Sequence, residues 1–302
     1  MAIASQSIAI FTYLIFSMSR SMHIYCDGGF GNRFNGLIAG SLIAKAAQLT
    51  PIIVWPRNNW CRAAYNDIFE LPENVLEREL KTYLPIKDDF QFFMTEDHLH
   101  MGVSNQSPLQ TASLDKAVNY LSSSHRDVYF HTPLIPSFLK MDCVLKQINC
   151  LPLSKNLTHI AQRFIESRNL TEFFGVHIRK TDFGANSSDD KNLFTLISNC
   201  PHKQFFVCSD DEEVEQQFGL LNNVAIYPKR AYVKTLVDGD WNTPTADSSG
   251  RVYACNVDRS ALSVEDAVID LLILSHSQIV DTSNSTFRNT AMLLKAARST
   301  NK

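Results

Sequence analysis

The sequence predicts an α/β protein made of two Rossmann-like, doubly wound domains that face a cleft. Residues 23–56 have the pattern of a strand, a glycine-rich turn, a helix and a second strand, which is the unit of a parallel sheet. Residues 157–299 alternate short apolar runs with helical segments. The chain has 302 residues, 45% hydrophobic and 20% charged, so it is long and apolar enough for one large core or two ordinary ones.

The first half is clearest at its start. Residues 23–27 are predicted to form a short buried strand and residues 28–36 a glycine-rich turn. Residues 37–49 have helical periodicity, and residues 50–56 form the second strand. Residues 57–150 contain further strand candidates between polar segments, and the pattern does not give their order.

The second half has a more regular alternation of elements. In chain order we predict helix 157–169, strand 171–179, helix 191–201, strand 203–211, helix 211–219, strand 222–228, a long polar loop 229–262, helix 263–277, strand 278–282 and helix 288–299. Such alternation is typical of a doubly wound sheet. We place the domain boundary near residue 150, which gives domains at 22–150 and 151–302.

The N-terminal residues 1–21 stand outside these domains. Their apolar run, residues 8–18, is short for a membrane span and lacks both a basic segment before it and a small-residue cleavage site after it. A leader, a weak signal-anchor and an upstream extension all remain open, and so does membrane association. We expect a cytoplasmic protein, or a Golgi-type signal-anchored one if this segment is an anchor.

The charge balance and the cysteine pattern disfavour two classes of function, nucleic-acid binding and a disulfide- or zinc-based scaffold. The chain has 28 basic and 31 acidic residues and a net charge of −3, so it lacks the basic surplus that nucleic-acid binding needs. Its seven cysteines are odd in number and form no CxxC pair. We therefore expect structural thiols rather than a disulfide framework or a zinc site.

Three turns lie where the predicted strands end, at residues 28–33, 177–182 and 282–287. Each also has a plain structural interpretation, as a tight glycine turn, a surface loop and a helix cap respectively. The glycine turn matches neither the GxGxxG pattern nor a P-loop. Ligands of doubly wound sheets bind at strand carboxyl ends, and glycines, an arginine and a hydroxyl-bearing helix start together favour a diphosphate.

Four segments carry a family resemblance. They read, in chain order, GGFGNRFNGLIAG, GVHIRKTD, FFVCSDDEEV and AVIDLLILSHSQIVDTSNSTF. They resemble motifs of the fucosyltransferase superfamily with the GT-B fold, which includes nodulation-type, α1,6-, α1,2- and protein O-fucosyltransferases. The second is similar to the family's His-x-Arg-Arg-x-Asp motif, with Lys180 at its second arginine. The resemblance covers about residues 22–55 and 171–298.

The resemblance implies a role for five residues of the second domain. Arg179 would hold the β-phosphate of the donor nucleotide, and His177 would contact its base. Asp270 would accept hydrogen bonds from N1–H and the exocyclic amine of guanine. Ser285 and Thr286 would donate hydroxyl and amide groups to the phosphates.

The resemblance also implies that Asn32 and Arg33 face the cleft from the first domain, and that they bind the donor nucleotide together with Gly29 and Gly31. The implied activity is inverting transfer of fucose from GDP-fucose to a glycan, glycoprotein or other hydroxyl acceptor, without a metal or other cofactor. The Asp-Gly-Asp at 238–240 is interpreted as a loop turn rather than a metal site. A rhamnosyl or xylosyl donor and a non-catalytic nucleotide- or sugar-binding relative are the alternatives.

The catalytic base stays open at the level of sequence. Phe183 and Ser187 stand where α1,6-type enzymes have a lysine and then a glutamate that is thought to be the base. We rank Asp182 and Asp189 first, because both follow the strand at 171–179. Other acids that remain candidates are Asp190, which we expect to cap the next helix, and Asp67 and Glu70 of the first domain.

Overall fold

A computed structural model describes residues 20–70, 75–76, 90–94, 113–123, 125–180, 187–240, 243–246, 252–280 and 285–300. Most of the predicted leader, residues 1–19, lies outside the described residues. Within those ranges, every helix is too short or too polar to cross a lipid bilayer.

The first half of the chain forms a five-stranded sheet in which all strand pairs are parallel. The strands are β1 (Ser21–Tyr25), β2 (Thr50–Val54), β3 (Val75–Leu76), β4 (Phe90–Met94) and β5 (Asp127–His131). Their order across the sheet is β3-β2-β1-β5-β4, so the winding reverses between β1 and β5. The described helices of this half are α1 (Phe30–Ala46), α2 (Tyr65–Ile68), α3 (Leu114–Ser122) and α4 (Met141–Cys150).

Helix α1 begins seven residues earlier than the sequence predicted. The predicted turn at 28–36 is short, because the helix starts at Phe30 and contains Gly31, Gly36 and, further along, Gly40. Those glycines serve close packing: a Cβ at Gly36 would lie 2.8 Å from the carbonyl oxygen of Thr132, and one at Gly40 would lie 2.5 Å from Ile24. Helical glycine costs about 1 kcal/mol relative to alanine, and here the close approach of neighbouring elements requires it.

The second half forms a four-stranded parallel sheet. Its strands are β6 (Phe173–Ile178), β7 (Gln204–Ser209), β8 (Val224–Ala225) and β13 (Gln278–Ile279). Their order is β13-β6-β7-β8, which places the reversal of winding between β6 and β13. The helices are α5 (Lys155–Ser167), α6 (Ser187–Ser198), α7 (Glu212–Phe218), α8 (Ala261–Leu274) and α9 (Thr286–Ser299).

The predicted polar loop at 229–262 contains short strands. Strand β9 (Lys234–Thr235) pairs with β12 (Val257–Asp258), and β10 (Pro244–Ala246) pairs with β11 (Val252–Ala254), both antiparallel. Helix α8 follows and begins two residues earlier than predicted. Its cap is Ser260, whose hydroxyl oxygen accepts a hydrogen bond from the amide of Ser263. Strands of two or three residues are too short to show an apolar alternation, so the sequence pattern did not reveal them.

The two sheets share a continuous core. Helices α5 and α8 pack together, and α9 returns to pack on α1 and α4 of the first half. The prediction of an α/β protein with two parallel sheets is confirmed. All seven cysteines are free thiols, and Cys26 and Cys208 are buried as expected. The sheets lie on either side of residue 150, and the domain boundary there stays a prediction.

Candidate functional site

Two of the predicted turns leave the second sheet from neighbouring strands. Arg179 and Lys180 follow β6, and β13, which pairs with β6, leads towards the start of α9 at Ser285. This is the point where the winding of the sheet reverses, which is where doubly wound sheets bind ligands. Residues 181–186 and 281–284 lie outside the described residues, so the structure says nothing of Asp182.

The glycine turn of the first half reaches the same place. A Cβ at Gly31 would lie 3.0 Å from the carbonyl oxygen of Thr286, the first residue of α9. A Cβ at Gly29 would have no atom within 4 Å and would project into open space. The ring of His177 stacks on Phe287, with centroids 4.4 Å apart and planes at 26°. The three predicted turns therefore converge, although they are far apart in the sequence.

The start of α9 is a capped helix terminus. Ser285 is its N-cap, and the Ser285 hydroxyl oxygen accepts a hydrogen bond from the amide of Arg288 at 3.1 Å. The structural interpretation of this turn as a helix cap is thus correct for Ser285. It is compatible with ligand binding, because the hydroxyl can still donate its own proton and the other amides of the first turn have no partner within the helix.

Arg33 does not face a cleft, contrary to the expectation from the resemblance. Its side chain is fully buried. The guanidinium donates to the carbonyl oxygens of Gly28 at 2.7 Å and Pro56 at 2.8 Å, and to Asn58 Oδ1 at 3.1 Å. The Asp27 carboxylate lies 3.6 Å away. Because a buried guanidinium needs many acceptors, these contacts commit Arg33 to fastening the glycine turn to the segment after β2.

Asn32 lies at the turn itself. Gly28 has a left-handed backbone, with φ of 77°, and a Cβ there would lie 2.9 Å from Asn32 Nδ2. The side chain of Asn32 therefore folds back over the turn. Its Oδ1 is buried and has no hydrogen-bond partner within the described part of the chain. Asn32 therefore remains a predicted site residue, because its side-chain amide oxygen can still accept a hydrogen bond.

Asp270 occupies a buried position on α8. It is 2% exposed, so its carboxylate does not face solvent. Its Oδ2 lies 2.8 Å from Lys229 Nζ, and Lys229 also forms an ion pair with Glu215. Lys229 donates to the carbonyl oxygen of Ser209 at 3.0 Å, and Ser209 is opposite Ile178 in the sheet register. The cluster therefore lies at the carboxyl edge of β7, beside the end of β6.

Burial controls the ionisation of this cluster. It raises the pKa of Asp270 to about 7, although the positive charge of Lys229 opposes the shift. Burial on its own lowers the pKa of Lys229, but the charges of Asp270 and Glu215 outweigh it, and the pKa lies above its usual value. Lys229 is therefore protonated at neutral pH, and Asp270 is the group that titrates there.

The two aspartates after β7 have different roles, and only Asp210 supports the turn that carries Arg179. The backbone amide of Lys180 donates to Asp210 Oδ1 at 2.7 Å, and the Lys180 side chain pairs with Asp190. Asp211 caps α7 by accepting from the amide of Val214 at 3.0 Å. The expectation that Asp190 caps a helix is wrong, because α6 begins at Ser187 and Asp190 is inside it. This ion pair fixes the side chain at the second arginine position of the motif.

The other described acidic residues considered as a catalytic base or a metal site lie on helices or at the surface. Asp189 lies in the first turn of α6. Asp67 accepts from the amide of Ala64 at 2.7 Å, and Glu70 accepts from the amide of Lys155 at 3.2 Å. These contacts give Asp67 and Glu70 structural roles. The acids at 238 and 240 are exposed, and no group of three potential metal ligands occurs among the residues that the structure describes.

Three contributors to the site were missed by sequence reasoning. Phe287 stacks on His177, and Lys229 and Glu215 hold Asp270. Glu215 lies in the helix predicted at 211–219, and Lys229 opens the predicted loop at 229–262. Only their position beside a buried aspartate distinguishes them, and that position is a property of the fold.

Comparison with known proteins supports the fold. No protein-family model and no curated protein matches the chain. The structure of the NodZ α-1,6-fucosyltransferase co-crystallized with GDP matches with a TM-score of 0.56 and 16% identity, over 91% of this chain and 92% of that one. NodZ soaked with GDP-fucose gives 0.55 and 15%, over 91% and 92%. NodZ from Bradyrhizobium gives 0.56 and 16%, over 91% and 93%.

At such low identity the likeness establishes the fold alone. It extends over nearly the whole of both chains, so it includes both sheets and the return of α9 to the first half. The resemblance inferred from the four motifs is confirmed at this level. The chain has the GT-B fold seen in the fucosyltransferase NodZ.

Proposed function

We propose that the chain is an inverting glycosyltransferase that transfers fucose from GDP-fucose to a hydroxyl of a glycan or glycoprotein. One observation carries the proposal: the glycine turn of the first half meets the N-terminus of α9 beside β6, the strand that contains His177 and is followed directly by Arg179. NodZ, which shares the fold, has been crystallised with GDP and soaked with GDP-fucose.

The diphosphate would lie where this turn opens. Gly29 is the N-cap of the long helix α1, and a Cβ there would meet open space, so the first amides of α1 would supply one set of donors. The N-terminus of α9, with Ser285 and Thr286, would supply a second set of donors. Arg179 would pair with phosphate oxygens through two parallel N–H groups. These positive groups would perform the role that a metal ion has in other transferases.

The guanine base of the donor nucleotide would lie against the other side of the site. His177 is fixed by its stacking on Phe287 and would contact the purine. Asp270 would accept from the donor edge of guanine through Oδ1, which is unpaired within the described ranges. A carboxylate acceptor favours guanine, because N1–H donates there, whereas the same position of adenine is an acceptor.

The chemical step would be a direct displacement at the anomeric carbon. The acceptor oxygen forms the new bond as the bond from the anomeric carbon to the diphosphate breaks, and GDP leaves with the electron pair. Arg179 and the α9 terminus would stabilise the charge that develops on the leaving group, an effect of about 3 kcal/mol for one such donor. The hydroxyl proton would pass to a carboxylate, for which Asp182 and Asp189 are our candidates.

A non-catalytic nucleotide-binding protein is the second candidate. Phe183 and Ser187 favour it, because they replace the lysine and glutamate of α1,6-type enzymes. Incubation of the purified chain with GDP-fucose and mixed glycan acceptors separates the two functions. We expect release of GDP above the uncatalysed rate, and its loss in Arg179→Ala. Binding of GDP-fucose without any release of GDP would identify the non-catalytic alternative.

A further inference from the structure

The Asp270 carboxylate uses only one of its two oxygens within the described structure. Oδ2 lies 2.8 Å from Lys229 Nζ, whereas Oδ1 is buried and has no hydrogen-bond partner in the described ranges. An unpaired buried carboxylate oxygen is costly, because it loses its hydration and gains no hydrogen bond in return. Such an atom requires an explanation, and a hydrogen-bond donor on a ligand is one that the position at the carboxyl edge of the sheet supports.

Lys229 has little freedom to release the other oxygen. Its side chain is 4% exposed and contacts three acceptors, namely the carbonyl oxygen of Ser209 at 3.0 Å, Glu215 and Asp270. An ammonium group has three N–H donors, so this set uses all of them. Glu215 is fixed in turn, because it accepts from the Ser209 amide and from the Tyr232 hydroxyl, both at 2.7 Å. Oδ2 of Asp270 is therefore held towards the lysine.

This arrangement limits the number of hydrogen bonds that Asp270 can accept from a nucleotide base. A carboxylate that takes both guanine donors directs one oxygen at N1–H and the other at the exocyclic amine. Here Lys229 holds Oδ2, and only Oδ1 of Asp270 is available. N1–H is the more acidic of the two donors, so a single charged oxygen gains most from accepting it.

We propose, on the basis of the proposed function, that Lys229 is a positioning residue that leaves Asp270 one acceptor for the base. That oxygen accepts N1–H, a donor that guanine and hypoxanthine share and that adenine lacks. The site therefore binds nucleoside diphosphates with a 6-oxopurine base and makes little use of the 2-amino group. This proposal differs from the implication of the family resemblance, in which Asp270 accepts from both donors of guanine.

The direct test compares GDP, IDP and ADP by titration calorimetry with the wild-type chain. We expect the dissociation constant of IDP to lie within about threefold of that of GDP, and ADP to bind at least about thirtyfold more weakly. A site that accepts hydrogen bonds from both N1–H and the 2-amino group of guanine loses one charge-assisted hydrogen bond with IDP, which lacks the 2-amino group. IDP binding more than about tenfold weaker than GDP would therefore overturn the inference.

A paired variant tests the role of Lys229. Lys229→Met combined with Glu215→Gln keeps the net charge of the buried cluster at −1, because one cation and one anion are removed together. Glutamine can still accept from the Ser209 amide. Oδ2 of Asp270 is then free for the 2-amino group, and the preference for GDP over IDP should rise about tenfold. Lys203→Met, an exposed lysine before the amino end of β7, is the control and should leave the preference unchanged.

The results separate this inference from the proposed function. A wild-type chain that fails to bind GDP contradicts the proposed function itself. A chain that binds GDP but rejects IDP, or a folded paired variant with the wild-type preference, contradicts only the role of Lys229. If the paired variant does not fold, the ratio measured for the wild-type chain decides alone.

Discussion

Replacement of Gly31 by alanine tests the contact that brings the two halves of the site together. A methyl group there would lie 3.0 Å from the carbonyl oxygen of Thr286, 3.1 Å from its carbonyl carbon and 3.3 Å from the amide nitrogen of Phe287. All three atoms belong to the backbone of α9, so no side-chain rotation can relieve the clash. The start of α9 or of α1 must move instead.

The sign of the change in the free energy of unfolding shows whether Gly31 packs against α9. In a helix without this contact, alanine in place of glycine stabilises by about 1 kcal/mol. Overpacking against a fixed backbone costs about 1–3 kcal/mol. We therefore expect Gly31→Ala to lower the free energy of unfolding by about 1 kcal/mol, measured by urea denaturation. Displacement of the α9 terminus should also weaken GDP binding about tenfold, because the phosphate donors move with it.

Gly29→Ala is the matched control at the same turn. Its methyl group meets no atom within 4 Å, so the unfolding free energy should change by only about 0.5 kcal/mol, as for a substituted helix cap. The methyl group would enter the space assigned to the diphosphate, and GDP affinity should fall nonetheless. If Gly31→Ala stabilised the protein and bound GDP normally, the convergence of the two turns at the site would be refuted.

Four further results are expected. Arg179→Ala should abolish transfer and weaken GDP binding, while the melting temperature stays near that of the wild type. Arg179→Lys should restore little activity, since a point charge does not replace a bidentate guanidinium, and a fully active lysine variant would refute this role. Transfer should continue in EDTA, and a loss reversed by manganese or magnesium would show that a metal is needed. Asp182→Asn or Asp189→Asn, whichever residue is the base, should lower turnover about a hundredfold or more at unchanged donor affinity, and if neither does so the base lies elsewhere. Because burial raises the pKa of Asp270 to about 7, GDP affinity should fall as pH decreases from 8 to 6. By the same shift, the native chain binds a proton that the unfolded chain lacks between about pH 4 and 7, so Asp270 makes the ligand-free protein less stable as pH rises through 7. Asp270→Asn should flatten both pH profiles, and profiles that persist in that variant would assign them to another group.

Local patterns were sufficient to predict the parallel sheets. Strands β6 and β7 are continuous apolar runs, as expected for strands covered on both faces, and both were predicted within two residues at each end. The family motifs also identified the turns that converge at the site, since Gly31 and Thr286 are in contact. Short-range sequence signals therefore locate the strand ends, where ligands of this fold class bind.

The errors concern contacts between distant segments. Gly31 and Gly36 suggested a turn, but both lie in α1 and allow it to pack closely against its neighbours. Arg33 was expected to face the cleft, yet carbonyl oxygens and Asn58 take up its guanidinium. The pairing of Lys229 with Asp270 joins residues from separate elements, and nothing in the sequence near either residue indicates it. Such contacts depend on the complete chain trace, which local periodicity does not contain.

A thermal-shift comparison of GDP, UDP, ADP and CMP at equal concentration tests the central claim most directly. A ligand present at a hundred times its dissociation constant stabilises the native state by about 2.7 kcal/mol, which raises the melting temperature by several degrees. We predict a clear rise with GDP, little or none with the other three, and loss of the GDP effect in Arg179→Ala. An equal rise with UDP or CMP, or no rise with any nucleotide, would contradict a GDP-sugar-dependent transferase.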